Sequence, residues 1–251
     1  IGRATAEQLL VEGAGVLLTD VDPKSLASVE QELKGRFGAD NVRAVAMDVT
    51  DETSVAEGFR TAAVEYGGVD ILVSSAGIAS SAPVDETTLA LWQKNMDILA
   101  TGYFLVAREA FRVMKAQRLG GSIVFVVSKN ALAASPNAAA YCTAKAAELH
   151  LARCLALEGA EEGIRVNVVN PDAVLSGSRI WSGTWRTERA AAYGVKEEEL
   201  EEYYRKRSLL KRHVRPEDVA EAVMFFVSDR SSRSTGNILN VDAGNAEAFP
   251  R

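Results

Sequence analysis

The stretch GVLLTDVDPKSLASVEQELKGRFGADNVRAVAM, residues 15–47, decides the fold. Two short, continuously apolar runs, GVLLTD and VRAVAM, flank the helical pattern PKSLASVEQELKGRF. That is a strand, a helix and a second strand, the unit from which parallel sheets are built. Outward from it the rhythm repeats. ETSVAEGFRTAAVEYG reads as a helix and DILVSS as a strand, followed by a long helical stretch from ETTLALW to VMKAQR. SIVFVVS, the helix AAYCTAKAAELHLARCLALEGAEE, IRVNVVN, PEDVAEAVMFFVSD and NILNV continue the series. Strands apolar throughout, rather than alternating, are expected where helices cover both faces. The fold class is therefore α/β, a doubly wound parallel sheet, and 251 residues fit a single domain, 1–251.

Two segments depart from the rhythm. The chain opens on IGRATAEQLLVEG, a helix without the strand and loop that normally precede it in such a unit. That strand belongs in mid-sheet, so its omission should leave two interior edges unpaired, as in a piece of a longer protein. Residues 175–213 form an insert with two of the three tryptophans, several arginines and a glutamate run. EEELEEYYRKR within it reads as a solvated helix with opposite-charge pairs. Trp181 and Trp185 follow a strand's C-terminal end, where ligands bind in such sheets, and are candidates to cover a substrate.

Composition narrows the function classes. Hydrophobic content of 47% and charged content of 25% are those of a globular protein. A net charge of -6 gives no electrostatic footprint for nucleic acid or an anionic membrane, so a small-molecule partner is expected. The sequence has neither a long apolar span nor a signal peptide, which points to the cytoplasm. Cys142 and Cys154 are read as reduced packing residues, and His150 and His213 are too isolated to hold a metal; none is expected.

The chemistry gathers at SKNALAASPNAAAYCTAK, residues 128–145. Tyr141 and Lys145 stand at i and i+4, so on a helix their side chains share one face. An ammonium beside a phenol favours its anion, which makes tyrosine a proton-transfer group. Lowering the phenol from about 10 to about 7 takes roughly 4 kcal/mol. Asp20 ends a strand eighteen residues after Gly2, close to the spacing at which a carboxylate accepts from a nucleotide ribose. The plainer reading of Asp20 is a turn residue in DVDP.

With those residues in place the chain resembles the short-chain dehydrogenase/reductase family, from Gly2 to TGNILNVDAG, and the implied fold is the Rossmann fold. The resemblance implies that Tyr141 is the general acid/base, that Lys145 lowers its pKa and holds the nicotinamide ribose, and that Ser128 stabilises the developing alkoxide. It also implies cofactor contacts at Gly2, Asp20, Asp48, Val49, Ala76, Gly77, Pro171 and Val174, and a substrate contact at Asn130. NAD is favoured over NADP because Asp20 would repel a 2′-phosphate. A homotetramer built through the helix holding Ala107 to Arg118 and the Tyr141 helix is implied as well. Three positions depart from the family pattern. SSAG at Ser74 to Gly77 replaces an amide-bearing motif, Leu99 stands where an asparagine usually holds a water near the lysine, and Asp172 replaces a glycine. Asn95 and Asn130 are candidate substitutes for the missing amide.

LATGYFLVAREAF, NPDAVL and SGSRIWSGTWRTERAAAYGV further resemble the dehydrogenase half of bifunctional rhamnulose-1-phosphate aldolase/alcohol dehydrogenases. That implies an upstream aldolase domain and a small aldehyde substrate such as lactaldehyde. A polyol or sugar-phosphate dehydrogenase is the alternative enzyme, with Arg179 or Arg186 as phosphate ligands. A catalytically silent dinucleotide-binding module is the alternative of another class.

Overall fold

A computed structural model describes residues 1–249. Helix α1 (Gly2–Val11) leads into β1 (Val16–Asp20), α2 (Pro23–Phe37), β2 (Val42–Ala46), α3 (Glu52–Tyr66) and β3 (Ile71–Ser74). Then come α4 (Leu89–Asn95), α5 (Gly102–Gln117), β4 (Gly121–Val126), α6 (Ala139–Gly159) and β5 (Ile164–Pro171). The insert supplies α7 (Thr184–Tyr193) and α8 (Leu200–Arg207), before α9 (Pro216–Val227) and β6 (Ile238–Val241).

Local chemistry sets the element boundaries. Asp22 caps α2 by accepting from the Lys24 and Ser25 amides, with Pro23 at the first helical position. Asp51 caps α3 in the same way, and Gly67 ends it in the left-handed region, at φ 81°, where glycine carries no Cβ penalty. The long stretch from ETTLALW to VMKAQR forms α4 and α5 joined through a π-helical turn, Met96–Thr101, so Leu99 sits on the widened turn.

All strand pairs are parallel, in the two ladders β1–β2 and β3–β4–β5–β6. No strand pairing joins the two ladders among the described residues. Along β4, Ile123 and Phe125 face a core shared with α3, α5 and α6, while Val124 and Val126 face α9. This two-sided burial is why the strands read as unbroken apolar runs. Helix α1 bridges neighbours through charged contacts: Arg3 with Glu32 of α2 at 2.5 Å, and Gln8 with Glu221 of α9 at 2.9 Å.

The insert is less solvated than its sequence suggests. Glu202 does pair with Arg205 and Lys206, but Leu200 and Tyr204 are buried against Ala190, Trp181 and Tyr193. Helix α8 is thus amphipathic, because its aromatic face packs on α7.

Candidate functional site

Helix α6 presents Tyr141 and Lys145 on one face, and Ser128 arrives from the residues just after β4. All three side chains are buried. The Ser128 hydroxyl accepts the Asn130 amide hydrogen at 3.2 Å and acts on the Tyr141 phenol, drawing its pKa down. Lys145 Nζ lies 6.0 Å from the Tyr141 ring centre and 5.3 Å from that of Tyr103.

The expected lowering of Tyr141 by Lys145 is not what the protein groups produce. Burial raises the phenol, Ser128 opposes it, and Glu148 raises it further. The physical reason is one turn along the helix. Lys145 Nζ donates to Glu148 Oε2 at 3.0 Å, and both side chains are removed from solvent, so the ammonium is already partnered. Burial pushes Glu148 up to about 8 against the pull of Lys145.

Leu99 is fully buried among Ala138, Tyr141, Ala144 and Trp185, and packs within van der Waals reach of Gly77. Neither proposed substitute amide reaches Lys145. Asn95 is no surface amide; it is buried, donating to Ser80 Oγ and the Leu91 carbonyl, both at 2.8 Å. Asn130 accepts from Ser135 Oγ at 2.7 Å.

Asp172 is held by Arg207 Nη2 at 2.5 Å and Asn245 Nδ2 at 3.1 Å, so its charge is spent within the protein. The residue after it, Ala173, takes the left-handed conformation, at φ 53°. Pro171 closes β5 opposite Val241, and Val174 packs towards α9.

The cofactor positions collect at the strand ends of β1, β2 and β3. Gly2 starts α1 against the β3 loop, where an added Cβ would lie 2.6 Å from Ser75 Oγ and oblige that hydroxyl to turn away. A Cβ on Gly77 would lie 4.0 Å from Lys145 Nζ, and the adjoining Ala76 is half-buried. Asp48 accepts from the Thr50 amide and hydroxyl, while Val49 packs on Gly102. Asp20 accepts from the Asp22 amide at 2.9 Å, its turn role, and from Arg179 Nη2 at 3.0 Å.

Trp185 is buried with its ring centre 5.6 Å from that of Tyr141, and Trp181 lies behind it at 6.1 Å, its ring tilted by 55°. The insert therefore brings both tryptophans to the Tyr141 side of the sheet. Arg179 and Arg186 are elsewhere: Arg179 grips Asp20 and Asp22, and Arg186 donates to the Glu197 carbonyl. Cys142 is partly buried but Cys154 is exposed, which removes it from a packing role. His213 lies 3.4 Å from Glu201, and among the described residues no His, Cys, Asp and Glu group could hold a metal.

Sequence reading missed Glu148, Lys129, Arg189 and Arg207. Glu148 carried a usable signal, an acid at i+3 from Lys145 in an otherwise apolar helical run.

A family model described as enoyl-(acyl carrier protein) reductase matches residues 1–246. An uncharacterized oxidoreductase of Bacillus subtilis, YuxG, is 51% identical over the whole chain, which spans only 36% of that relative's length. Sorbitol-6-phosphate 2-dehydrogenase of Escherichia coli is 31% identical over 97% of the chain and 93% of its own length. The crystal structure of sorbitol-6-phosphate 2-dehydrogenase SrlD from Erwinia amylovora superposes with a TM-score of 0.91 at 30% identity, covering 96% of this chain and 94% of that one. With the serine, tyrosine and lysine brought together at the strand ends of a parallel sheet, these likenesses place the chain in the short-chain dehydrogenase/reductase family of oxidoreductases.

Proposed function

We propose that the chain interconverts a small polyhydroxylated alcohol and its aldehyde or ketone, with NAD as the hydride partner. The observation that carries the reading is the convergence of Ser128, Tyr141 and Lys145 beneath Trp185. A nicotinamide dinucleotide fits the residues present. Gly2 keeps the helix start open to a pyrophosphate, Asp20 offers a carboxylate at a strand end, and Gly77 leaves backbone bare beside Lys145. When bound, the nicotinamide accepts or supplies the hydride. Asp48 and Val49 would flank the adenine, with Ala76, Pro171 and Val174 lining the rest of the cofactor's path.

The chain's own residues do the proton work. Ser128 donates to the substrate oxygen and holds it against Tyr141 Oη, which takes the hydroxyl proton during oxidation and returns it during reduction. Lys145 fixes the ribose and favours the phenolate, and Glu148 sets how much of the lysine's charge reaches it. Trp185 and Trp181 keep water from the reacting carbon. NAD is preferred because Asp20 would repel a 2′-phosphate.

A polyol substrate is supported by likeness to the two sorbitol-6-phosphate dehydrogenases. Lactaldehyde and a fused upstream aldolase rest on the sequence resemblance and on the greater length of the Bacillus relative. We further propose a cytoplasmic homotetramer packed through α5 and α6; among the described residues no helix is long and apolar enough to cross a membrane. Reduced-cofactor formation, followed with NAD and NADP across sorbitol, propane-1,2-diol, lactaldehyde and sorbitol 6-phosphate, tests the reading. Turnover of a polyol with NAD is expected; turnover of none of these with either cofactor would sink it.

A further inference from the structure

Beside Ser128 and Tyr141 lie two buried cations with no carboxylate of their own. Lys129, next to Ser128, is 2% exposed; its ammonium donates only to Ser135 Oγ at 3.0 Å and the Ala133 carbonyl at 3.4 Å. Arg189, on α7, is 1% exposed; Nη1 donates to the Pro136 carbonyl at 2.6 Å, while Nη2 makes no hydrogen bond of normal geometry, the guanidinium's remaining polar neighbours being the Tyr193 and Tyr204 hydroxyls. Elsewhere the buried Lys145 is given Glu148, and even the partly buried Arg207 is given Asp172. A buried charge is costly unless an opposite charge or full hydrogen bonding offsets it, and a buried donor left unpaired adds to that cost.

The two cations belong to one cluster. Ser135 bonds both Lys129 and Asn130 and lies beside the Tyr193 phenol, over whose ring the Arg189 guanidinium stacks at 4.5 Å. Arg207 reaches the Tyr193 hydroxyl at 3.3 Å. The local field is positive, and Tyr193 registers it. Burial works to raise its phenol, yet Arg189, Ser135 and Arg207 together bring it below the usual tyrosine range. The cluster also adjoins the reacting atoms. Arg189 sits 5.1 Å from the Trp185 ring, whose centre is 5.6 Å from that of Tyr141.

We infer that Lys129 and Arg189 bind an anionic group, phosphate or carboxylate, on the far end of the substrate whose alcohol is handled at Tyr141. The inference rests on the polyol reading above and deepens it. A doubly charged phosphate would satisfy Nη2 and the lysine together, in the geometry a guanidinium favours. The substrate is then a chain of several carbons, with a hydroxyl under Trp185 at one end and the anion against Lys129 and Arg189 at the other.

The experiment has two arms. In turnover, kcat/KM is compared for sorbitol 6-phosphate, gluconate and sorbitol, in wild type, Arg189→Met and Lys129→Met. The expected result is about a hundredfold preference for one anionic compound over sorbitol, falling at least about tenfold in each variant, since truncating a buried charge partner has an effect of this size. Which anionic compound is preferred distinguishes phosphate from carboxylate. In binding, inorganic phosphate and acetate are added to the substrate-free protein. One of them should raise Tm of wild type by a few degrees and that of the variants less. Lys129→Met carries both arms if Arg189→Met does not fold. Wild-type ratios within about threefold, together with no anion effect on Tm, overturn the anion site. Arginine-dependent stabilisation without turnover of any polyol leaves the site standing and removes the polyol reading instead.

Discussion

Lys145 is claimed by two side chains, the phenol it should activate and the Glu148 carboxylate that bonds it at 3.0 Å. Tyr103 is the titratable neighbour from α5, its phenol raised by burial and by Glu148. Replacing Glu148 by Gln keeps the shape and removes the charge that raises Tyr141 once Glu148 has ionised, above about 8, so an acid limb of alcohol oxidation that lies in that range should move down by about half a pH unit or more. An unmoved limb would deny Glu148 that influence. Stability gives a separate check with a definite sign. A carboxyl pushed up to about 8 holds its proton in the folded state where the unfolded chain has lost it, so wild-type stability falls as pH rises from the ordinary glutamate value towards 8. Glu148→Gln should therefore gain on wild type across that window, as read by denaturant midpoints at a series of pH values; a constant difference would contradict the assignment. In the proposed reading Asp20 repels a 2′-phosphate, and Arg179, which bonds Asp20 at 3.0 Å, would be left to meet a phosphate once the carboxylate is gone. Asp20→Ala should narrow the NAD-over-NADP ratio of kcat/KM by about tenfold. An unchanged ratio would leave Asp20 its turn role alone.

Between elements, the insert reaches the strand ends through two ion pairs, an exposed one from Arg179 to Asp20 and a partly buried one from Arg207 to Asp172. Asp172, at the end of β5, holds Arg207 of α8, which in turn stacks over Tyr204 at 4.7 Å. Asp172→Ala leaves the half-buried guanidinium without its acceptor and should cost about 1–3 kcal/mol, lowering Tm by several degrees. A Tm within one degree of wild type, measured by calorimetry, would show that the insert is held by its aromatic contacts instead. Those contacts have their own test. Trp185 packs on Tyr141 from α7, and Trp185→Ala should raise KM for the alcohol at least about fivefold while NADH affinity holds within about twofold, since the ring roofs the substrate side. Loss of NADH binding would move Trp185 to the cofactor side.

Across the whole molecule, the strands and helices were legible because burial on two faces writes a simple code. Continuous apolar runs such as SIVFVVS became β4, and three-to-four spacing became helices, with Asp22 and Asp51 marking their starts. The shared face of Tyr141 and Lys145 was legible because they lie on one helix, where spacing fixes geometry. Contacts between distant segments were not. Arg179 reaches back to Asp20, and Arg207 to Asp172, pairings that no local period encodes. Asn95, a candidate amide for Lys145, instead donates to Ser80 Oγ, a partner fifteen residues away that helical spacing does not reveal. In the proposed mechanism Tyr141 moves the proton while a nicotinamide dinucleotide takes the hydride. The test is to measure, in parallel, polyol-dependent NADH formation and NADH affinity for wild type and Tyr141→Phe. Turnover should fall by about 10²–10⁴-fold with NADH affinity within about threefold of wild type, because the substitution removes the proton carrier and little contact surface. Turnover within about tenfold of wild type would contradict it.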